Sequence, residues 1–111
     1  MKVRDVIERL GCEVVSINDG VYERRIASVV VSDLMSDVLV TDEVDLLVTS
    51  LAGSQTLRTA DIVGAHTVLL VNDKPAEDLK GTAEDLGITL LRTKGATFEV
   101  SGALYNLRGA K

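Results

Sequence analysis

The sequence predicts an α/β domain with a mainly parallel sheet and helices on both faces, and three observations carry that reading. Helical and strand-like patterns alternate along the chain, as parallel strands require, because each crossover needs a segment long enough to return. The three later strand candidates, Leu46-Leu47-Val48, Val68-Leu69-Leu70-Val71 and Ile88-Thr89-Leu90-Leu91, are largely apolar runs without clean alternation, the pattern of strands covered on both faces. Gly11 and Gly87 follow amphipathic stretches, where a left-handed helix terminus favours glycine. A doubly wound sheet is the expected arrangement, in a single domain spanning residues 1–111.

Taken in order, Val3, Val6, Ile7 and Leu10 recur at helical spacing and define the first helix. Cys12 to Ser16 reads as a short strand, Asn18-Asp19-Gly20 as a turn, and Ile26 to Val31 as a longer β-branched strand. Ser32 or Asp33 offers a capping oxygen to a short helix through Leu34, Met35 and Val38. After the strand Asp45 to Thr49, the loop Ala52-Gly53-Ser54-Gln55 feeds a helix bearing Leu57, Ala60 and Val63 on one face, with Ser54 as its expected N-cap and Gly64 near its end. His66 to Val71 is the next strand. Pro75 suits the first position of a helix, where its missing N–H costs nothing, and Ala76, Leu79, Ala83 and Leu86 form that helix's apolar stripe. Ile88 to Leu91 is the last strand, and Val100, Ala103, Leu104 and Leu107 mark the last helix before Gly109.

Composition narrows the function. The chain is 46% hydrophobic and 26% charged, well away from the profile of disordered chains, so it is expected to fold. Tyr22, Phe98 and Tyr105 are its only aromatics, which leaves an aliphatic core and few platforms for stacking bases. A net charge of −5 disfavours nucleic acid and anionic membrane surfaces, both of which select clustered Lys and Arg. With one cysteine, Cys12, and one histidine, His66, neither an intramolecular disulfide nor a Cys/His metal site can be assembled. The start of the chain leads into an amphipathic helix rather than a signal sequence, and no apolar run has bilayer-spanning length. The expected location is a reducing cytoplasm.

Motifs of catalysis are missing: there is no GxxxxGK[ST] loop, no GxGxxG fingerprint and no GxSxG elbow. His66, at the start of a strand, is read as structural rather than as a general base, and Cys12, beside a helix C-terminus, as a small hydrophobe rather than a thiolate. No catalytic residue, metal or cofactor is assigned, and the chain is not expected to be an enzyme. Polar residues instead gather where parallel strands end. Ser32-Asp33, Thr49-Ser50, Asn72-Asp73 and Arg92-Thr93-Lys94 fall on the carboxyl edge of the sheet, where open α/β folds place ligands, and Ser54 and Gln55 open a helix whose free N–H groups favour an anion. The candidate ligand residues are therefore Ser32, Asp33, Ser54, Gln55, Asn72, Asp73, Arg92, Thr93 and Lys94. The same residue types also cap helices and turn chains in nearly every α/β domain, so a purely local role stands beside the functional one. Leu34, Met35, Val38, Leu39 and Val40 give a short helix more apolar surface than a core alone demands, which suits a subunit interface.

Together these landmarks resemble the DRTGG domain family, similar to the N-terminal domain of HPr kinase/phosphorylase. The resemblance rests on the N-terminal helix ending in glycine, on Val30-Val31-Ser32-Asp33-Leu34-Met35-Ser36-Asp37-Val38 as its most specific block, and on Asp45-Leu46-Leu47-Val48-Thr49. Leu69-Leu70-Val71-Asn72-Asp73 and Ile88-Thr89-Leu90-Leu91-Arg92-Thr93 with Thr97-Phe98-Glu99 complete it, covering nearly the whole chain. It implies a non-catalytic regulatory domain that senses a small ligand, commonly as a homodimer, alone or fused to CBS-domain pyrophosphatases and phosphotransacetylases. Where many family members carry Thr-Gly-Gly, this chain has Val71-Asn72-Asp73. Two functions are thus expected side by side: a homodimer that senses a small anionic ligand such as a nucleotide and acts through an unidentified protein partner, or a structural dimerisation domain without a ligand.

Overall fold

The computed structural model describes residues 1–109. Its elements are α1 (Val3–Leu10), β1 (Glu13–Ser16), β2 (Val29–Val31), α2 (Met35–Leu39), β3 (Leu46–Thr49), α3 (Ser54–Ile62), β4 (Thr67–Leu70), α4 (Lys80–Leu86), β5 (Thr89–Arg92) and α5 (Thr97–Gly109). The five strands form one sheet in the order β1-β5-β4-β3-β2, parallel from β5 to β2, with β1 antiparallel on the edge.

Successive residues of the central strands point to opposite faces, and both faces are dry. Leu47, Val68, Leu70 and Leu90 pack with Val38 of α2, Leu57 and Ala60 of α3 and Ala83 of α4. Leu46, Val48, Leu69, Val71 and Leu91 pack on the other side with Val3 and Val6 of α1 and Val100 and Leu104 of α5. This explains why the strands read as unbroken apolar runs: every position has a covered face.

The arrangement is not doubly wound. The three crossover helices α2, α3 and α4 share one face, and the second face is covered by the terminal helices. Strand order among the parallel strands therefore never reverses, and the fold has no switch point at which neighbouring crossovers diverge to leave a crevice.

Four local expectations also change. The strand expected over Ile26 to Val31 is only Val29–Val31, because the Asp45 carboxylate takes the N–H groups of Ala27 (2.8 Å) and Ser28 (3.1 Å). Residues 17–28 instead cross below the amino ends of the strands: Asn18 donates to the carbonyl of Gly87 before β5, His66 before β4 meets the carbonyl of Arg25, and Asp45 before β3 holds 27–28. Pro75 does not open a helix. A 3₁₀ turn at Glu77–Leu79 intervenes before α4, since Ala76 is non-helical (ψ 1°) and the Lys74 carbonyl is held by Arg92 Nε at 2.8 Å. Ser54 is the first helical residue rather than the N-cap, a position occupied by Gly53, and α2 likewise starts after Leu34 rather than on Ser32 or Asp33. Ser32 Oγ accepts from Leu34 N–H (3.0 Å) in a local turn, and the Asp33 carboxylate is engaged elsewhere.

Candidate functional site

The carboxyl edge of the sheet carries the predicted polar residues, but the structure divides them into two groups. At the β2–β3 end, Asp33 accepts three hydrogen bonds, from Thr49 Oγ1 (2.9 Å), Ser50 N–H (2.7 Å) and Ser50 Oγ (2.7 Å). It thereby ties the exit of β2 to the loop that leads into α3, where Thr56 Oγ1 donates to the Leu51 carbonyl at 2.8 Å and fixes the first turn. Ser54 and Gln55 stand at that start with no side-chain cap bond.

The N–H of Ser50 first, then the hydroxyls of Ser50 and Thr49 and the charge of Lys74, hold the Asp33 carboxyl below its ordinary value against a smaller opposing effect of burial. A carboxyl depressed in the folded state contributes stability above its unfolded value, near pH 4, and that stability is lost as pH falls through the folded value. Asp33→Ala is expected to cost about 1–2 kcal/mol at neutral pH by leaving the hydroxyl of Thr49, a residue only 1% exposed, without its acceptor. Urea titrations at pH 7 and pH 3 should show that difference shrinking in acid; an equal cost at both would contradict the role given to the carboxylate.

At the β4–β5 end, Asn72 and Asp73 both adopt left-handed backbone conformations (φ 64° and 56°). Asn and Asp are the side-chain-bearing residues that enter this region most readily. The turn is pinned to the β5–α5 loop by Asn72 N–H to the Gly95 carbonyl (2.8 Å) and Asp73 N–H to the Thr93 carbonyl (3.0 Å). Asn72 Nδ2 reaches Thr97 Oγ1 at 3.3 Å.

Arg92 is the hub of this end. Its guanidinium pairs with Glu13 (2.9 Å) and Asp73 (2.9 Å), and its Nε donates to the Lys74 carbonyl. The hydrogen bond to Glu13 above all, with the Glu13, Asp73 and Glu77 charges, raises its already high pKa. Because β1 runs antiparallel to β5, Glu13 sits opposite Arg92 and the C-terminus of α1 arrives at the carboxyl end of β5. Between α1, this strand end and the first turns of α5 lies an open groove of about 690 Å³, within the usual range for small-molecule sites. Arg9, Cys12, Glu13, Arg92, Lys94 and Glu99 are on its walls, with Thr93 at its base, where Thr93 Oγ1 accepts from Gly95 N–H (3.3 Å). Arg9 and Lys94 make no ion pair among the described residues.

Of the nine expected residues, Arg92, Thr93 and Lys94 line this groove, Asn72 and Asp73 brace its rim, and Ser32, Asp33, Ser54 and Gln55 lie outside its walls. The sequence reading missed Arg9, Cys12, Glu13 and Glu99. The short Gly11-Cys12 link signals that α1 ends beside a strand, but nothing local tells which strand is its neighbour.

His66 is nearly buried, with Nδ1 2.7 Å from Thr67 Oγ1 and Nε2 3.3 Å from the Arg25 carbonyl. Burial first, then the Arg24 charge, lowers its pKa, so it fastens the crossing segment as a neutral ring. Burial pushes the Cys12 thiol up to about 11, which keeps it protonated. Among the described residues no group of His, Cys, Asp and Glu is arranged to hold a metal ion, and no helix is long and apolar enough to cross a membrane.

No family model matches the sequence, and no curated protein matches it either. A solved structure does: the CBS and DRTGG domains of the regulatory region of Clostridium perfringens pyrophosphatase, in complex with its activator diadenosine tetraphosphate. The TM-score is 0.71 at 17% sequence identity. The match covers 93% of this chain and 45% of that one, so the present chain corresponds to less than half of that regulatory region. This α/β chain therefore has a fold that is also present within the CBS and DRTGG regulatory region of a pyrophosphatase.

Proposed function

We propose that this chain is a non-catalytic, cytoplasmic regulatory module. It forms a homodimer, binds a small anionic ligand of the nucleotide class at the carboxyl edge of its sheet, and passes occupancy to a protein partner. The observation that carries the reading is the coincidence of a ligand-sized groove with the segment Arg92-Thr93-Lys94 at the end of β5. Arg9 and Lys94 supply positive charge that has no ion-pair partner among the described residues, and the Arg92 fork, although engaged, is already oriented by Glu13 and Asp73. The shared fold with a regulatory region that takes diadenosine tetraphosphate supports the ligand class. Asn72 and Asp73 brace the rim of this ligand surface, while Ser32, Asp33, Ser54 and Gln55, on the same edge of the sheet, lie outside the groove.

Thermal unfolding with ATP, diadenosine tetraphosphate and inorganic phosphate tests this, because a ligand that binds only the folded chain adds stability, about 2.7 kcal/mol at a hundredfold excess over Kd. A nucleotide is expected to raise Tm, and Lys94→Glu to weaken that binding at least about tenfold by reversing a charge on the groove wall. No shift with any of the three at millimolar concentration would favour the second reading, a structural dimerisation domain. One observation speaks for that alternative: the charge of Arg92 is matched by Glu13 and Asp73 without any ligand.

A further inference from the structure

β2 is the outer strand of the sheet, with β3 as its only neighbouring strand among the described residues. Leu46 N–H donates to the Ser28 carbonyl (3.1 Å) and Ser32 N–H to the Val48 carbonyl (3.0 Å), so the even-numbered residues of this strand turn their backbone groups toward β3. By the alternation of a parallel ladder, the N–H and C=O groups of Val29 and Val31 point away from the sheet. An open edge is normally guarded by Lys, Pro, an inward charge or a covering element. Here Ser28 to Ser32 contains three valines and no charge, and Val31 is 41% exposed.

The surface beside this edge is apolar too. Val29 and Val31 line a cleft with Ser101, Leu104, Tyr105 and, at its end, Arg108 of α5, and Phe98 lies seven residues before Tyr105 on the same helix face. Phe98 is 85% exposed and Tyr105 75%, with open space above Gly102 between them. Aromatic side chains of about 150–250 Å² each, exposed to this degree, offer on the order of 300 Å², a large part of the about 800 Å² that one partner of a standard interface buries. Leu34, just before α2, is 57% exposed.

We infer that the free edge of β2, with the Phe98–Tyr105 face of α5, is the surface on which a second copy of this chain docks, joining the two sheets into one. The inference rests on the homodimer in the proposed function and gives it a location. A two-fold axis at Val30 places Val29 opposite Val31 of the second copy, and each such pair exchanges two N–H···O=C bonds, so all the outward groups of Val29 and Val31 are satisfied. The same axis doubles the apolar strip and covers it with its own copy, as an isologous contact must. Of the segment Leu34 to Val40 expected at an interface, Val38 is fully buried in the chain's own core, while Leu34, Leu39 and Val40 are exposed.

Sedimentation and amide exchange on the full chain test the surface. Wild type is expected to sediment at twice the chain mass, with the amides of Val29 and Val31 protected. Val31→Pro removes an outward N–H while sparing the β2–β3 ladder, and Tyr105→Lys charges the apolar strip without entering the core; each is expected to return the mass to that of one chain. Ile62→Lys, on the exposed side of α3, should leave the dimer intact. A dimer that survives both variants, or one whose Val29 and Val31 amides exchange freely, overturns this surface and leaves the homodimer standing. A wild-type monomer at high micromolar concentration overturns the homodimer as well, while the ligand-binding reading remains to be decided by thermal unfolding. An unrelated extended peptide that protects Val29 and Val31 in a wild-type monomer would replace the second copy by a foreign strand.

Discussion

Leu91→Ala is expected to lower the stability of this chain by about 2–5 kcal/mol, a large share of the roughly 5–15 kcal/mol that holds a typical domain. Leu91 is fully buried on β5, flanked by Val14 of β1 and Leu69 of β4, and it faces the cluster formed by α1 and α5. Truncation removes apolar contact and leaves a cavity that cannot easily collapse, because strands hold it on both sides and helices cover it. The same residue supports both helices that wall the groove, so ligand affinity should fall together with stability. Ile62→Ala, at a position 71% exposed on α3, should stay within about 0.5 kcal/mol of wild type. Urea unfolding of the two variants checks the contrast, and a loss below about 1 kcal/mol for Leu91→Ala would mean that the second face of the sheet is not packed as described.

Gly95→Ala should cost about 1–3 kcal/mol, although Gly95 lies in a loop. A Cβ at this position would come within 2.9 Å of Val100 Cγ2, and Val100 is 2% exposed in the α1–α5 core and cannot give way. The loop cannot move outward freely either, since the Gly95 carbonyl receives Asn72 N–H and its own N–H is bound by Thr93 Oγ1. Overpacking therefore lifts the start of α5 from the sheet and distorts the groove. Combining Gly95→Ala with Val100→Ala should cost less than the sum of the two single changes, because the second makes room for the first. Strict additivity in a double-mutant cycle would show that the contact does not exist in solution.

How much of this could be read from the residues depended on the range of the interactions involved. The apolar runs at 46–48, 68–71 and 88–91 locate the central strands because dryness on both faces leaves a mark in every residue. Gly11 and Gly87 locate helix ends because the left-handed conformation, seen at φ 59° and 69°, is a local demand. Long-range choices leave no such mark. Nothing in Glu13 to Ser16 announces an antiparallel partner, yet that pairing alone brings Arg9 and Glu13 beside Arg92 and creates the groove. Asp33 and Ser54 looked like helix caps from their neighbours, but Asp33 found a better set of donors at Thr49 and Ser50, residues sixteen and seventeen positions away. The polar character of the carboxyl edge was legible, whereas its division into two groups was not, because it follows from the placement of α2, α3 and α4 on one face.

Chemical-shift mapping on the isotopically labelled chain, titrated with ATP and with diadenosine tetraphosphate, tests the central claim most directly. The account predicts saturable shifts of the amides at Gly11 to Glu13 and Arg92 to Gly95, with smaller shifts at Asn72 and Asp73, whose N–H groups are bonded to that loop. Shifts confined to residues far from this edge, or no shift at millimolar nucleotide, would contradict it.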